Sequence, residues 1–206
     1  MRFKGRLRAI GVLLALAPSA AFAGNLAANG HFDVAVEPWA FHDGDGAITY
    51  NAISAFCPTQ SGSGYAENRG SNNAPYASFA QCITGIASEG HYRAGAQVFF
   101  PTGDDPAAGF YVFMIWYGST DCTGGNLGSV SLTSIGQAPL DTWRGTSDQA
   151  WAPIGAQSAL MSLRIGHNPP NDGNAYLDEA FFSPEADIFN DGFELALPCQ
   201  WSAVVP

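Results

Sequence analysis

Tyr92-Arg93-Ala94-Gly95-Ala96-Gln97-Val98-Phe99-Phe100 decides the fold class of this 206-residue chain. Tyr92, Ala94, Ala96, Val98 and Phe100 alternate with Arg93, Gly95, Gln97 and Phe99. A period of two places one set on a buried face of a β-strand and the other on its opposite face. Pro101-Thr102-Gly103-Asp104-Asp105-Pro106 follows and ends the strand as a turn. Phe110-Tyr111-Val112-Phe113-Met114-Ile115-Trp116-Tyr117 is apolar on both faces, which predicts a central strand covered on both sides. Ala159, Met161, Leu163 and Ile165 alternate with Leu160, Ser162 and Arg164 in another strand. Tyr76 to Thr84, Val130 to Ile135 and Ala175 to Phe182 complete the predicted set. No amphipathic helical window and no internal repeat interrupts it. With 24 glycines, 13 prolines and 13% charged residues, the composition is that of an all-β protein rich in turns.

The first 23 residues read as an export signal. Arg2, Lys4, Arg6 and Arg8 form a basic segment, Ala9 to Ala17 an apolar one, and Ala21-Phe22-Ala23 fits the A-x-A cleavage pattern. The apolar segment is far shorter than the roughly 20 residues of a membrane-spanning helix, so no membrane insertion is expected. Cleavage near Ala23 predicts a secreted, periplasmic or cell-surface protein. Residues 24–184 are expected to form one β-sandwich domain, followed by a separate tail over 185–206.

Removing the signal leaves Arg69, Arg93, Arg144 and Arg164 as the only basic residues besides histidine, against all 18 acids. Nucleic acid is excluded as a partner, because phosphate binding needs clustered Lys and Arg. Anionic membrane surfaces repel such a chain for the same reason. Neutral ligands, divalent cations and basic partners stay open.

Two stretches far apart in the chain carry a family likeness. Asn29-Gly30-His31-Phe32-Asp33, followed by Pro38-Trp39, resembles the entry of the carbohydrate-binding modules built on the galactose-binding-like jelly roll. Tyr176-Leu177-Asp178-Glu179-Ala180-Phe181-Phe182 resembles their closing strand. Between them, Ser63-Gly64-Tyr65-Ala66, Phe79-Ala80-Gln81-Cys82-Ile83 with Gly90-His91-Tyr92, Asp141-Thr142-Trp143 and Pro153-Ile154-Gly155-Ala156 are similar to successive family segments, in the same order. The resemblance implies a jelly-roll β-sandwich of two antiparallel sheets whose first and last strands lie side by side. It also implies carbohydrate as the partner and no catalysis.

In that family the acids of the first and last strands often share a structural calcium ion. The resemblance therefore assigns Asn29, Asp33 and Asp178 as ligands. A hard cation takes six to eight oxygens, mixing carboxylates with groups from a bent segment, and Asn29-Gly30 supplies such a bend. On the residues alone, Asp33 ends a turn and Asp178 stands on a solvated strand face. His42-Asp43-Gly44-Asp45-Gly46 is a second acidic loop, read as a solvated turn because it lacks the ligand spacing of an EF-hand.

Four cysteines in an exported chain predict two disulfides with three possible connectivities. Similar pairings in related secreted modules imply Cys82–Cys122 and, with that pair set, Cys57–Cys199. The first closes a loop of about 40 residues and contributes about 4 kcal/mol on a chain-entropy estimate. Zinc is not expected, since no C-x-x-C occurs and His31, His42, His91 and His167 are scattered.

Sugar binding in such modules rests on aromatic rings stacking on pyranose faces with polar side chains bonding the hydroxyls. Tyr111, Phe113 and Tyr117 share one face of their strand, and Val112, Met114 and Trp116 the other. One set fills the core; the other lines a groove or lies beneath a covering strand or loop. Trp143 and Trp151, flanking Arg144 and Gln149, are candidates at a loop end. Trp39 is assigned to the core.

The chain contains no G-x-S-x-G elbow, H-E-x-x-H or phosphate-binding loop. Its last segment, Asp187-Ile188-Phe189-Asn190-Asp191-Gly192-Phe193-Glu194 with Trp201-Ser202, resembles an ending of many unrelated secreted bacterial proteins. It reads equally as a docking element for a protein partner or as a strand and turn packed on the domain. Two functions follow: a non-catalytic carbohydrate-binding protein, or a structural or adhesive surface protein. An aromatic strip in a groove favours the first, a flat apolar patch the second.

Overall fold

A computed structural model describes residues 24–55, 62–70, 76–103, 105–166 and 172–185. The expected signal segment (residues 1–23), Cys57, His167, Cys199 and the tail from residue 186 lie outside the described residues. Among the described residues eleven strands pack as two sheets: β1 (Ala40–Asp43), β2 (Gly46–Asn51), β3 (Ser63–Asn68), β4 (Tyr76–Thr84), β5 (His91–Phe99), β6 (Gly109–Tyr117), β7 (Asn126–Ser131), β8 (Ile135–Gly136), β9 (Arg144–Trp151), β10 (Ser158–Gly166) and β11 (Gly173–Pro184). The first sheet runs β1-β4-β10-β6-β7, with β8 beside β6, and the second β2-β3-β11-β5-β9. Every pairing of these strands is antiparallel. The chain is an all-β jelly-roll sandwich, and no helix among the described residues is long and apolar enough to cross a membrane.

The inner residues of the alternating strands meet between the sheets. Ala94, Ala96, Val98 and Phe100 face Phe110, Val112, Met114 and Trp116, with Phe79, Met161, Leu163, Ile165 and Trp39 filling the same core. The expectation for β6 and β10 is inverted by the structure. The outward residues of β6 (Tyr111, Phe113, Ile115, Tyr117) are only half-buried, whereas β10 is buried at every position from Ser158 to Ile165. The outward side chains of β10 include two serines, each with a ring on the β6 side (Tyr117 beside Ser158, Phe113 beside Ser162) and a smaller residue on the β4 side.

β1 and β2 were not anticipated. Their residues are largely exposed, so they carry little of the alternation that marks the inner strands. The acidic stretch between them is the turn at Gly44, whose φ of 95° suits glycine.

Asn25 to Asp33 forms no ladder with β11 but is bonded to it irregularly. Leu26 N–H donates to Phe182 O at 2.7 Å and Ala180 N–H to Gly30 O at 2.9 Å. The Asn25 side chain donates to Ala180 O and accepts from Phe182 N–H. This docking falls on a bulge in β11 between Asp178 and Phe181, where the register shifts against β5. Gly30 is required there, since a Cβ would stand 1.9 Å from Ala180 O.

Candidate functional site

The outer face of the first sheet is built by the register of β4, β10 and β6. Arg164 lies opposite Ser78 on one side and Tyr111 on the other; Ser162 lies opposite Ala80 and Phe113. Strand alternation turns all six away from the core. The Arg164 side chain lies across the face, its guanidinium carbon 3.8 Å from the Phe113 ring centre, 4.4 Å from that of Tyr76 and 5.9 Å from that of Tyr111. Such contacts stabilise a cation by about 0.5 to 2 kcal/mol each, most when desolvated.

Arg164 is 7% exposed, and none of the ion pairs among the described residues includes it. Its Nε is buried with no hydrogen-bond partner, as are the Oγ atoms of Ser78 and Ser162. Unsatisfied buried donors are rare and mark places where a partner is missing. Tyr76 donates its phenol hydrogen to Asp43 Oδ2 at 3.2 Å. Burial, followed by the Asp43 charge, holds that phenol above its ordinary range against the opposing effect of Arg164.

The Tyr117 end of the face is closed by the loop that joins β6 to β7. The disulfide Cys82–Cys122 ties this loop to β4. Ser158, wholly buried, accepts from Cys122 N–H at 3.0 Å and donates to Ser119 O at 2.6 Å. The face is thus bounded at one end, with its guanidinium and three rings at the other.

The remaining aromatic candidates stand elsewhere. Trp143 packs against Phe99, 5.5 Å between ring centres, which in turn packs against Tyr176 on the outer face of the second sheet. The Arg144 guanidinium donates to the Gly136 and Ala138 carbonyls and so holds the turn after β8. Trp151 is 64% exposed and stacks on His91 at 4.7 Å. It borders an open groove of about 540 Å³ between the edge strands β7 and β9, lined also by Trp116, Leu127, Asp148 and Pro153. Tyr111, Phe113 and Tyr117 therefore share one surface, and Trp143, Arg144 and Trp151 do not join them. Arg164, Tyr76, Ser78 and Ser162 are the members that the sequence did not single out. The available signal was an arginine in the apolar run Leu160-Met161-Ser162-Leu163-Arg164-Ile165.

A second polar centre lies where Asn25 to Asp33 meets the β11 bulge. Asp178 is fully buried, not solvated. It accepts from Ala55 N–H at 2.8 Å, Ser54 Oγ at 3.2 Å and Glu179 N–H at 2.7 Å. Burial pushes its carboxyl up to about 7 despite these bonds. Glu179, 3% exposed and at a φ of 52°, bonds His31 Nδ1 at 2.6 Å through Oε1, while Oε2 is buried without a partner. Burial raises the Glu179 carboxyl, and the bond to Glu179 raises the His31 imidazole. Asp33 is exposed, yet its charge reaches both groups. Asn29 accepts from Asp33 N–H and donates to the Ala35 and Glu37 carbonyls. Among the described residues no three His, Cys, Asp or Glu side chains are grouped as metal ligands. Both Asp178 oxygens are already bonded, and Glu179 Oε2 is the buried carboxylate oxygen left without a partner.

No protein-family model matches the chain, and no curated protein matches it in sequence. Solved structures share its fold. A xylan-binding domain of carbohydrate-binding module family 22 superposes with a TM-score of 0.56 at 16% identity, covering 81% of this chain and 97% of that one. The first family 22 xylan-binding module of a Paenibacillus barcinonensis xylanase gives 0.55 at 13%, covering 79% and 92%. The enzymatically active domain of tailspike protein 4 from bacteriophage CBA120 gives 0.59 at 14%, but this chain, matched over 78% of its length, spans only 21% of that protein.

Proposed function

We propose that the chain is a non-catalytic carbohydrate-binding protein whose glycan lies on the outer face of the first sheet. The carrying observation is the Arg164 side chain laid across Tyr76 and Phe113 with Tyr111 beside it. Aromatic faces stack on the apolar faces of sugar rings, and guanidinium, phenol and serine groups bond hydroxyls. Ser78 and Ser162 are wholly buried, so the Arg164 guanidinium and the Tyr76 phenol are the polar groups left to meet a polyhydroxylated ligand. The likeness in fold to xylan-binding modules supports this reading.

A structural calcium ion at the β11 bulge belongs to the same proposal. Asp178, with Asn29 and Asp33 as expected, and Glu179 in addition, would hold it there; its role would be to neutralise buried carboxylates rather than to touch sugar. The test is retention of residues 24–206 on a panel of insoluble and soluble glycans, with calcium and with chelator. Retention on one glycan class supports the reading, and passage through all of them by folded protein overturns it.

A second reading has one observation in its favour. Leu127, Trp151 and Ile154 are 41%, 64% and 76% exposed, near the open edges of β7 and β9. Exposed apolar side chains beside unpaired strand edges suit a protein partner.

A further inference from the structure

We propose that the glycan bound on this face carries a carboxylate, as a mainly neutral chain with isolated uronic acid units, and that Arg164 receives that carboxylate. The inference rests on the sugar-binding reading above and names the ligand class more closely. Arg164 is nine-tenths buried, yet among the described residues no acid pairs with it, although the acids of the chain outnumber its basic residues 18 to 8. Burying an unpaired charge is costly, and an apolar side chain of similar volume is often as stable or more so. The contacts to Tyr76, Tyr111 and Phe113 offset part of that cost, but a ring offers no lone pair to an N–H group. A planar carboxylate is the group that a guanidinium fork matches bidentately. The neighbouring Asp43 does not fill this role: it accepts from the Tyr76 phenol and forms no ion pair with Arg164.

The overall charge limits how acidic the ligand is. Besides Arg164, the outward positions of β4, β10 and β6, from Tyr76 and Tyr111 to Thr84 and Tyr117, include no Lys, Arg or His. One carboxylate per bound segment is neutralised; further ones meet the repulsion of an acidic protein. A polyuronate is therefore disfavoured against a sparsely substituted glycan.

The probes are glucuronoxylan, the same polysaccharide after carboxyl reduction, and polygalacturonate, titrated against residues 24–206 and against Arg164→Gln and Arg164→Lys variants of matched melting temperature. Charge-assisted bonds predict at least about tenfold tighter binding of glucuronoxylan than of its reduced form. Arg164→Gln is expected to abolish that difference while keeping residual binding to both, and Arg164→Lys to restore only part of it. Polygalacturonate is expected to bind more weakly than glucuronoxylan. Equal binding of native and reduced xylan by the unaltered protein overturns the inference and leaves the sugar-binding reading standing. Failure to bind either form or any neutral glycan overturns both.

Discussion

The guanidinium of Arg164 stands 3.8 Å from the ring centre of Phe113, a residue opposite Ser162 rather than opposite Arg164 itself. The side chain thus runs along its strand over the buried Ser162 and joins two rows of the sheet into one surface. This converts separate aromatic side chains on β4 and β6 into a single polar and aromatic floor. In the proposed function this floor serves binding more than folding, and an apolar substitution at Arg164 separates the two roles.

Arg164→Met keeps the volume and the apolar contacts while removing the buried charge. Its unfolding free energy is expected to match or exceed that of the unaltered protein, within about 1 to 2 kcal/mol. Glycan affinity is expected to fall at least about tenfold. Denaturant unfolding and affinity electrophoresis measure the two quantities; a large loss of stability with unchanged affinity would assign Arg164 to the scaffold.

Gly30→Ala is expected to be among the most damaging single substitutions in the described residues. The added Cβ falls 1.9 Å from Ala180 O, a backbone atom of the β11 bulge. A loss of about 2 kcal/mol or more in urea unfolding is expected. Stability within a few tenths of a kcal/mol of the parent would show that Asn25 to Asp33 docks differently.

Calcium is expected to raise the melting temperature, and chelator to lower it. At a hundredfold excess over its dissociation constant the ion contributes about 2.7 kcal/mol. Asp178→Asn removes a buried carboxylate from this centre; its melting temperature is expected not to respond to calcium. An unaltered protein equally stable in calcium and in chelator would rule out the ion.

Asp141 gives a pH dependence of known sign. Its carboxylate accepts from Thr102 Oγ1 and Thr102 N–H, which hold it below its ordinary value near 3.8. A depressed folded-state value means that the bond stabilises the fold above the unfolded value and is lost as pH falls through the folded one. The melting-temperature gap between Asp141→Asn and the parent is expected at pH 7 and to close as pH falls below 3.8 and through the lowered folded-state value. A gap independent of pH would contradict this.

Much of the sandwich was legible in the sequence because alternation is a local property. β4, β5 and β10 carry a regular inner face, and their limits follow from it. β7 and β8 were displaced from the expected Val130 to Ile135, because exposed edge strands have no face that must be apolar. Register is a tertiary property, and the site depends on it. Tyr76, Phe113 and Arg164 come from three strands that only pairing brings together, so the sequence offered Tyr111, Phe113 and Tyr117 without their arginine. Trp143 and Trp151 show the converse. They are close in sequence, but the strand between them separates them by about 26 Å at roughly 3.3 Å per residue, one beside Phe99 and the other beside His91.

Sugar is expected to bind the outer face of the first sheet, not the groove at Trp151. The most direct measurement is glycan affinity of a Tyr111→Ala/Phe113→Ala variant beside Trp151→Ala, with folding of each verified by near-ultraviolet circular dichroism. The double variant is expected to lose binding by about tenfold or more, and Trp151→Ala to bind as the parent does. Loss on Trp151→Ala with retention by the double variant would contradict the claim and move the site to the sandwich edge.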